Sequence, residues 1–190
     1  MQTVLPSEFK RMMALMLEGG VCLVEDFHVS GSAQTKHKLH VRLRQLKTGH
    51  IIDRVFAENE RIPVVELETR RITYSYSQAG TYVFLDEATF EQIERSDEQL
   101  GERRWFLKEG VDCKVLLLDG KVIDIALPAH VPLQVVDTAP PTRGGSDSAW
   151  KEAKLETGLH IMVPLFIGKG ETVRVDTAEK KYAGREALSN

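Results

Sequence analysis

Cysteine is scarce in this chain. Of 190 residues only Cys22 and Cys113 are cysteines, far apart and flanked by apolar neighbours. That argues against a disulfide scaffold, and neither thiol has a Cys or His partner at metal-ligand spacing. The expectation is two reduced core thiols in a cytosolic protein. Long apolar runs are missing as well, so no segment is suited to crossing a bilayer and no membrane partner is expected. The start, Met1 to Pro6, lacks the basic residues and apolar stretch of a secretory leader. Catalytic patterns are equally thin. There is no Gly-rich phosphate loop and no nucleophile beside a base, and the acidic residues of 86–102 are dotted rather than paired. No cofactor, no metal and no enzymatic activity are expected. The net charge of −3 supplies no general excess of positive charge for nucleic acid, and none for DNA in particular.

What is present is an ordinary globular composition, 42% hydrophobic and 28% charged. The charge is unevenly spread. Residues 1–63 carry 9 Lys/Arg and 7 Asp/Glu, residues 64–128 carry 8 and 13, and residues 129–190 carry 8 and 8. Four of the six histidines, His28, His37, His40 and His50, also lie in the first segment. A face for a polyanion belongs there.

Short strands with turn signals every 8–12 residues pervade the chain, the pattern of sandwiches or barrels. Expected strands are 11–17, 21–26, 38–46 and 50–57, then 70–77, 81–85, 114–118 and 122–127, then 133–137, 159–163, 172–176 and 181–184. Asp119-Gly120 reads as a two-residue hairpin turn. Ala88–Leu100, with Phe90, Ile93 and Leu100, reads as the one helix. Boundaries at Glu58–Pro63 and Pro128–Pro132 divide the chain into modules 1–63, 64–128 and 129–190. One continuous sandwich is the competing organisation. The expected fold class is all-β, built of three small modules.

Within 38–46, Leu39, Val41 and Leu43 alternate with Lys38, His40, Arg42 and Arg44. The charged set, with Lys36, is either a solvated barrel face or a phosphate-contacting one. His37 and His40 fall on opposite strand faces, which argues against a shared metal. Tyr74, Tyr76, Tyr82 and Phe84 alternate in the acidic module and read as core or module interface rather than base-stacking groups.

Residues 151–170 then fix eight positions in twenty: Lys151, Ala153, Gly158, Ile161, Val163-Pro164, Ile167 and Gly170. By this signature the chain resembles the bacterial elongation factor P family. Val41-Arg-Leu43-Arg44 with Thr48-Gly49, Tyr82-Val-Phe84 with Thr89-Phe90-Glu91-Gln92, and Val135-Val136-Asp137-Thr138 with Pro140 extend the resemblance. Leu67 to Arg71 and Lys181 to Arg185 are more similar to the elongation factor P-like paralogues. The initiation factor five A family lacks the third module and is set aside.

The resemblance implies an SH3-like barrel followed by two OB-type barrels in an L-shaped arrangement. It implies a monomeric cytoplasmic translation factor that binds the ribosome, through ribosomal RNA, beside the P-site tRNA. It implies faster peptide-bond formation at slow sites such as consecutive prolines, without any reacting side chain. By the same resemblance a loop of the first module, Val29 to Lys36, points to the peptidyl-transferase centre, with Ser32, Ala33, Gln34, Thr35 and Lys36 about its tip. Lys36, Lys38, Arg42 and Arg44 become the phosphate contacts. The chain departs from the family at the tip, where Gln34, or Ala33 in a longer loop, replaces the usual modified lysine. An OB-type RNA-binding or chaperone protein acting off the ribosome is the alternative.

Overall fold

The computed structural model describes residues 2–18, 20–30, 38–142 and 149–186. The protein is nearly all β, with curled, barrel-like sheets, as the sequence leads one to expect. Among the described residues the strands form three sheets. The first holds β1 (Thr3–Val4), β2 (Ala14–Leu17), β3 (Gly20–Ser30), β4 (Lys38–Gln45), β5 (Ile51–Ala57) and β6 (Ile62–Val65), in the order β1-β6-β2-β3-β4-β5. The second holds β7 (Glu68–Gln78), β8 (Thr81–Asp86), β9 (Gln92–Ser96), β10 (Asp112–Leu118) and β11 (Lys121–Ala126), in the order β11-β10-β7-β8-β9. The third holds β12 (His130–Thr138), β13 (Trp150–Leu155), β14 (His160–Pro164), β15 (Thr172–Asp176) and β16 (Lys181–Arg185), in the order β14-β13-β12-β15-β16. Two compact units result, Met1–Glu68 with Leu116–Asp124, and Thr69–Val115 with Ile125–Asn190.

In the first unit the alternation of β4 does what a period of two requires. Leu39, Val41 and Leu43 turn inward, onto Val24, Leu15 and Phe56, and Phe9 meets Phe56 edge-on at 5.2 Å. Each such buried side chain contributes about 1.5–3 kcal/mol by leaving water. The first sheet continues past Pro63, because β6 pairs with both β1 and β2. Pro63 sits opposite Thr3 and donates nothing, while its neighbour Val64 donates to the Gln2 carbonyl at 2.8 Å.

The helix expected over Ala88–Leu100 is mostly a turn and a strand. Asp86 accepts hydrogen bonds from the N–H groups of Ala88 and Thr89, closing a tight turn in which Phe90 takes φ of +59°. The chain then pairs back on β8, with Ile93 opposite Phe84. A helix survives over four residues, α1 (Asp97–Leu100), started by a capping box between Ser96 and Gln99. The apolar spacing of Phe90, Ile93 and Leu100 mimicked a helical stripe, but the side-chain turn at Asp86 outcompetes it. β1, β6, β9 and β13 also went unforeseen, being short or charge-rich. At Asp119-Gly120 both residues have positive φ, 50° and 74°, the geometry a two-residue hairpin demands.

In the second unit Phe106, from the 3₁₀ segment Gly101–Phe106, packs among Leu133, Leu155, Ile161 and Val173 of the third sheet. β14 and β16, at opposite ends of the strand order, approach each other, so this sheet curls towards closure. Most fixed positions of the twenty-residue signature have structural roles. Ala153, Ile161, Val163 and Ile167 are core. Gly158 has φ of +90°, and a Cβ there would lie 3.3 Å from the Trp105 ring. Both effects disfavour a side chain.

Candidate RNA-facing surface

The outer face of β3, β4 and β5 gathers the predicted basic residues in registered rows. Asp26, Arg42 and Asp53 form one row, His28, His40 and Val55 the next, and Ser30, Lys38 and Ala57 the third. A bulge between Val24 and Asp26 sets this register on β3. The predicted tip residues Ser32, Ala33, Gln34, Thr35 and Lys36 lie outside the described residues. Ser30 and Lys38, on either side of that segment, face each other across the ladder.

The three described basic residues differ in state. Lys38 is exposed at the start of β4. Arg42 is 61% exposed and meets Asp53 at 3.4 Å. Such a surface pair is worth well under about 1 kcal/mol, so Arg42 can exchange its carboxylate for another anion. Arg44, of the expected phosphate-contacting set, is already engaged by two carboxylates. Its Nε donates to Glu25 Oε1 at 2.5 Å, and its Nη2 donates to the buried carboxylate of Asp124. Burial alone would lower its pKa, but Asp124 and Glu25 more than offset this and hold the guanidinium charged. Arg44 therefore fastens its strand to the Leu116–Asp124 hairpin end within the first unit.

Two features of this face escaped the sequence reading. The rings of His28 and His40 stack nearly parallel, 5.0 Å apart with 8° between planes. His40 Nε2 also meets Ser30 Oγ at 2.7 Å. Beside them Arg11 clasps Asp26 at 2.7 Å. Desolvation pushes the Asp26 carboxyl up, but hydrogen bonds from Arg11 and the Phe27 N–H bring it below its ordinary value. The signal for the stack was in the sequence only as two histidines twelve positions apart, which no spacing rule joins.

Elsewhere the chemistry is quiet. Cys22 and Cys113 are buried free thiols, and burial pushes Cys113 up to about 12. Among the described residues no three His, Cys, Asp or Glu side chains are grouped to hold a metal, and no helix is long and apolar enough to cross a membrane. Of the aromatics in the acidic module, Tyr74 and Phe84 are core and 5.5 Å apart, while Tyr76 is exposed.

Residues 67–125 match the family model of the elongation factor P OB domain, and residues 131–185 that of the elongation factor P C-terminal domain. The chain is 41% identical over 180 residues to elongation factor P of Dictyoglomus thermophilum, covering 94% of this chain and 97% of that one. It is 36% identical over 185 residues to elongation factor P of Trichodesmium erythraeum, covering 95% and 98%. Among solved structures it is similar to eukaryotic translation initiation factor 5A from Methanococcus jannaschii, at 17% identity and a TM-score of 0.39. That match covers 65% of this chain and 93% of the other, and is too slight to carry an argument.

Proposed function

Since the chain belongs to the elongation factor P family and is a translation elongation factor, we propose that it binds the ribosome beside the P-site peptidyl-tRNA. There it promotes peptide-bond formation at slow sites such as consecutive prolines. Similarity along nearly the whole chain carries this reading. The exposed Lys38, next to residues 31–37, and Arg42, four residues further on the same strand face, support it. In this reading Lys36, Lys38 and Arg42 meet RNA phosphates, and Arg44 braces the strand that presents them. The protein acts as a monomer in the cytoplasm and supplies no reacting group. Its effect is positional: a mobile peptidyl-tRNA is held in a productive geometry, which removes part of the entropic barrier. Proline benefits most, because its ring restricts the approach of the nucleophile.

The tip residues Ser32, Ala33, Gln34 and Thr35 reach towards the peptidyl-transferase centre. A Gln34 amide offers two donors and an acceptor, and burying it costs less than burying an ammonium. The protein is thus active without lysine modification. A reconstituted translation system tests both points. Unmodified protein should speed synthesis of a triproline reporter and leave a proline-free one unchanged. Gln34→Ala should lose the effect yet still co-sediment with ribosomes. Equal triproline synthesis with and without saturating protein overturns the reading. Binding to free single strands but not to ribosomes would favour an RNA-binding protein acting off the ribosome.

A further inference from the structure

We propose that the His28–His40 pair is a stacking site for one unpaired RNA nucleobase, with His28 as the platform. The inference rests on reading the β3–β4–β5 face as RNA-facing, but its evidence is the geometry of the pair. The ring centroids are 5.0 Å apart, close to the spacing of adjacent strands, so the imidazoles stand side by side across the ladder. On β5 the next position of that row is Val55, on the side of His40 away from His28. On the other side the row ends among the described residues. β2 pairs with β3 only over Gly20–Leu23, and Met12 and Met13 bond no further than Val24. Among the described residues no strand pairs with that edge of Asp26–Ser30. The row Val55, His40, His28 is thus a stack whose outer member presents an exposed ring at a sheet edge.

Charge selects the occupant. The rows on either side, each roughly 7 Å away along the strands, carry Arg42 and Lys38. Arg11, Arg42 and Lys38 face two carboxylates, Asp26 and Asp53, so these charged neighbours leave an excess of one positive charge. On β3 itself His28 lies between Asp26 and Ser30, and the cations of the adjoining rows, Arg42 and Lys38, stand across the ladder on β4, where they can meet the phosphates that flank a base stacked on the ring. Duplex RNA has no free base face and would meet only the cations. His40 is a positioning residue: its Ser30 hydrogen bond and its packing against His28 hold the platform upright.

The test compares the full-length protein with His28→Ala and His28→Phe, both at an exposed position. The probes are a labelled oligouridine and an RNA duplex of equal length, at fixed salt. Oligouridine binding should weaken about tenfold in His28→Ala, within the range for loss of one stacked base. It should be retained in His28→Phe, which keeps a ring. Duplex binding should not change. In the wild type, oligouridine should shift the His28 ring protons upfield. Equal oligouridine affinity for wild type and His28→Ala overturns the site, as does a matching loss of duplex binding. Loss in His28→Phe as large as in His28→Ala overturns it too. If the wild type co-sediments with ribosomes while His28→Ala leaves oligouridine binding unmoved, the stacking site alone falls. If His28-dependent oligouridine binding stands without ribosome binding, the site survives and the ribosomal reading falls.

Discussion

Two arginines two positions apart on one strand face have different work, and their environments decide which. Arg42 is 61% exposed, with one long contact to Asp53, whereas Arg44 is 22% exposed and donates to two carboxylates. Arg42→Ala should lower ribosome affinity severalfold and flatten its salt dependence by about one released counterion, with stability changed by less than about 0.5 kcal/mol. Arg44→Ala removes the cation that faces nearly buried Asp124, so it should destabilise the first unit by about 3 kcal/mol. Equilibrium denaturation beside salt-dependent ribosome binding separates the two. A stable Arg44→Ala protein that has lost ribosome affinity would return Arg44 to the phosphate-contacting set.

At the scale of elements, the turn after β8 governs the local path of the chain. Asp86 is fully buried there, accepting from the Ala88 and Thr89 N–H groups and from Arg70 at 2.7 Å. Desolvation would raise its pKa, but those hydrogen bonds and the Arg70 charge outweigh it, so the folded value lies below the ordinary 3.8. A depressed folded pKa favours the native state above the unfolded value, and that advantage fades as pH falls through the lower folded one. The native protein should therefore lose stability on acidification below about pH 4. Asp86→Asn should be less stable at neutral pH and show a shallower decline there. Chemical denaturation of both proteins from pH 7 to pH 2 measures the difference, and parallel curves would remove Asp86 from this role.

At the scale of the molecule, each compact unit carries one buried thiol. Cys22 lies in the unit Met1–Glu68 with Leu116–Asp124, and Cys113 in the unit Thr69–Val115 with Ile125–Asn190. Only a thiolate reacts readily, and Cys113, pushed up to about 12, is almost wholly protonated at neutral pH. The native protein should therefore resist a disulfide reagent at pH 8, while the unfolded chain should release two equivalents. Mass mapping of Cys22 and Cys113 modification in sub-denaturing guanidinium then reports the opening of each unit separately. Rapid native labelling of either thiol would contradict the packing described.

Much of this was legible in the chain itself. The inward set Leu39, Val41 and Leu43 follows from a period of two, and the hairpin at Asp119-Gly120 from residues that tolerate positive φ. The 151–170 signature identified the family because most of its positions are core side chains or glycines at positive φ, which local sequence displays directly. Tertiary structure alone decided the rest. Arg44 became a brace because Asp124, eighty positions away, is folded against it. Residues 92–96 became a strand because β8 offered a partner and Asp86 closed the turn. His28 and His40 became a stack because the β3 bulge brought them into one row. Local preference is written along the chain, whereas charge pairing and cross-strand register depend on which distant residues the fold brings alongside.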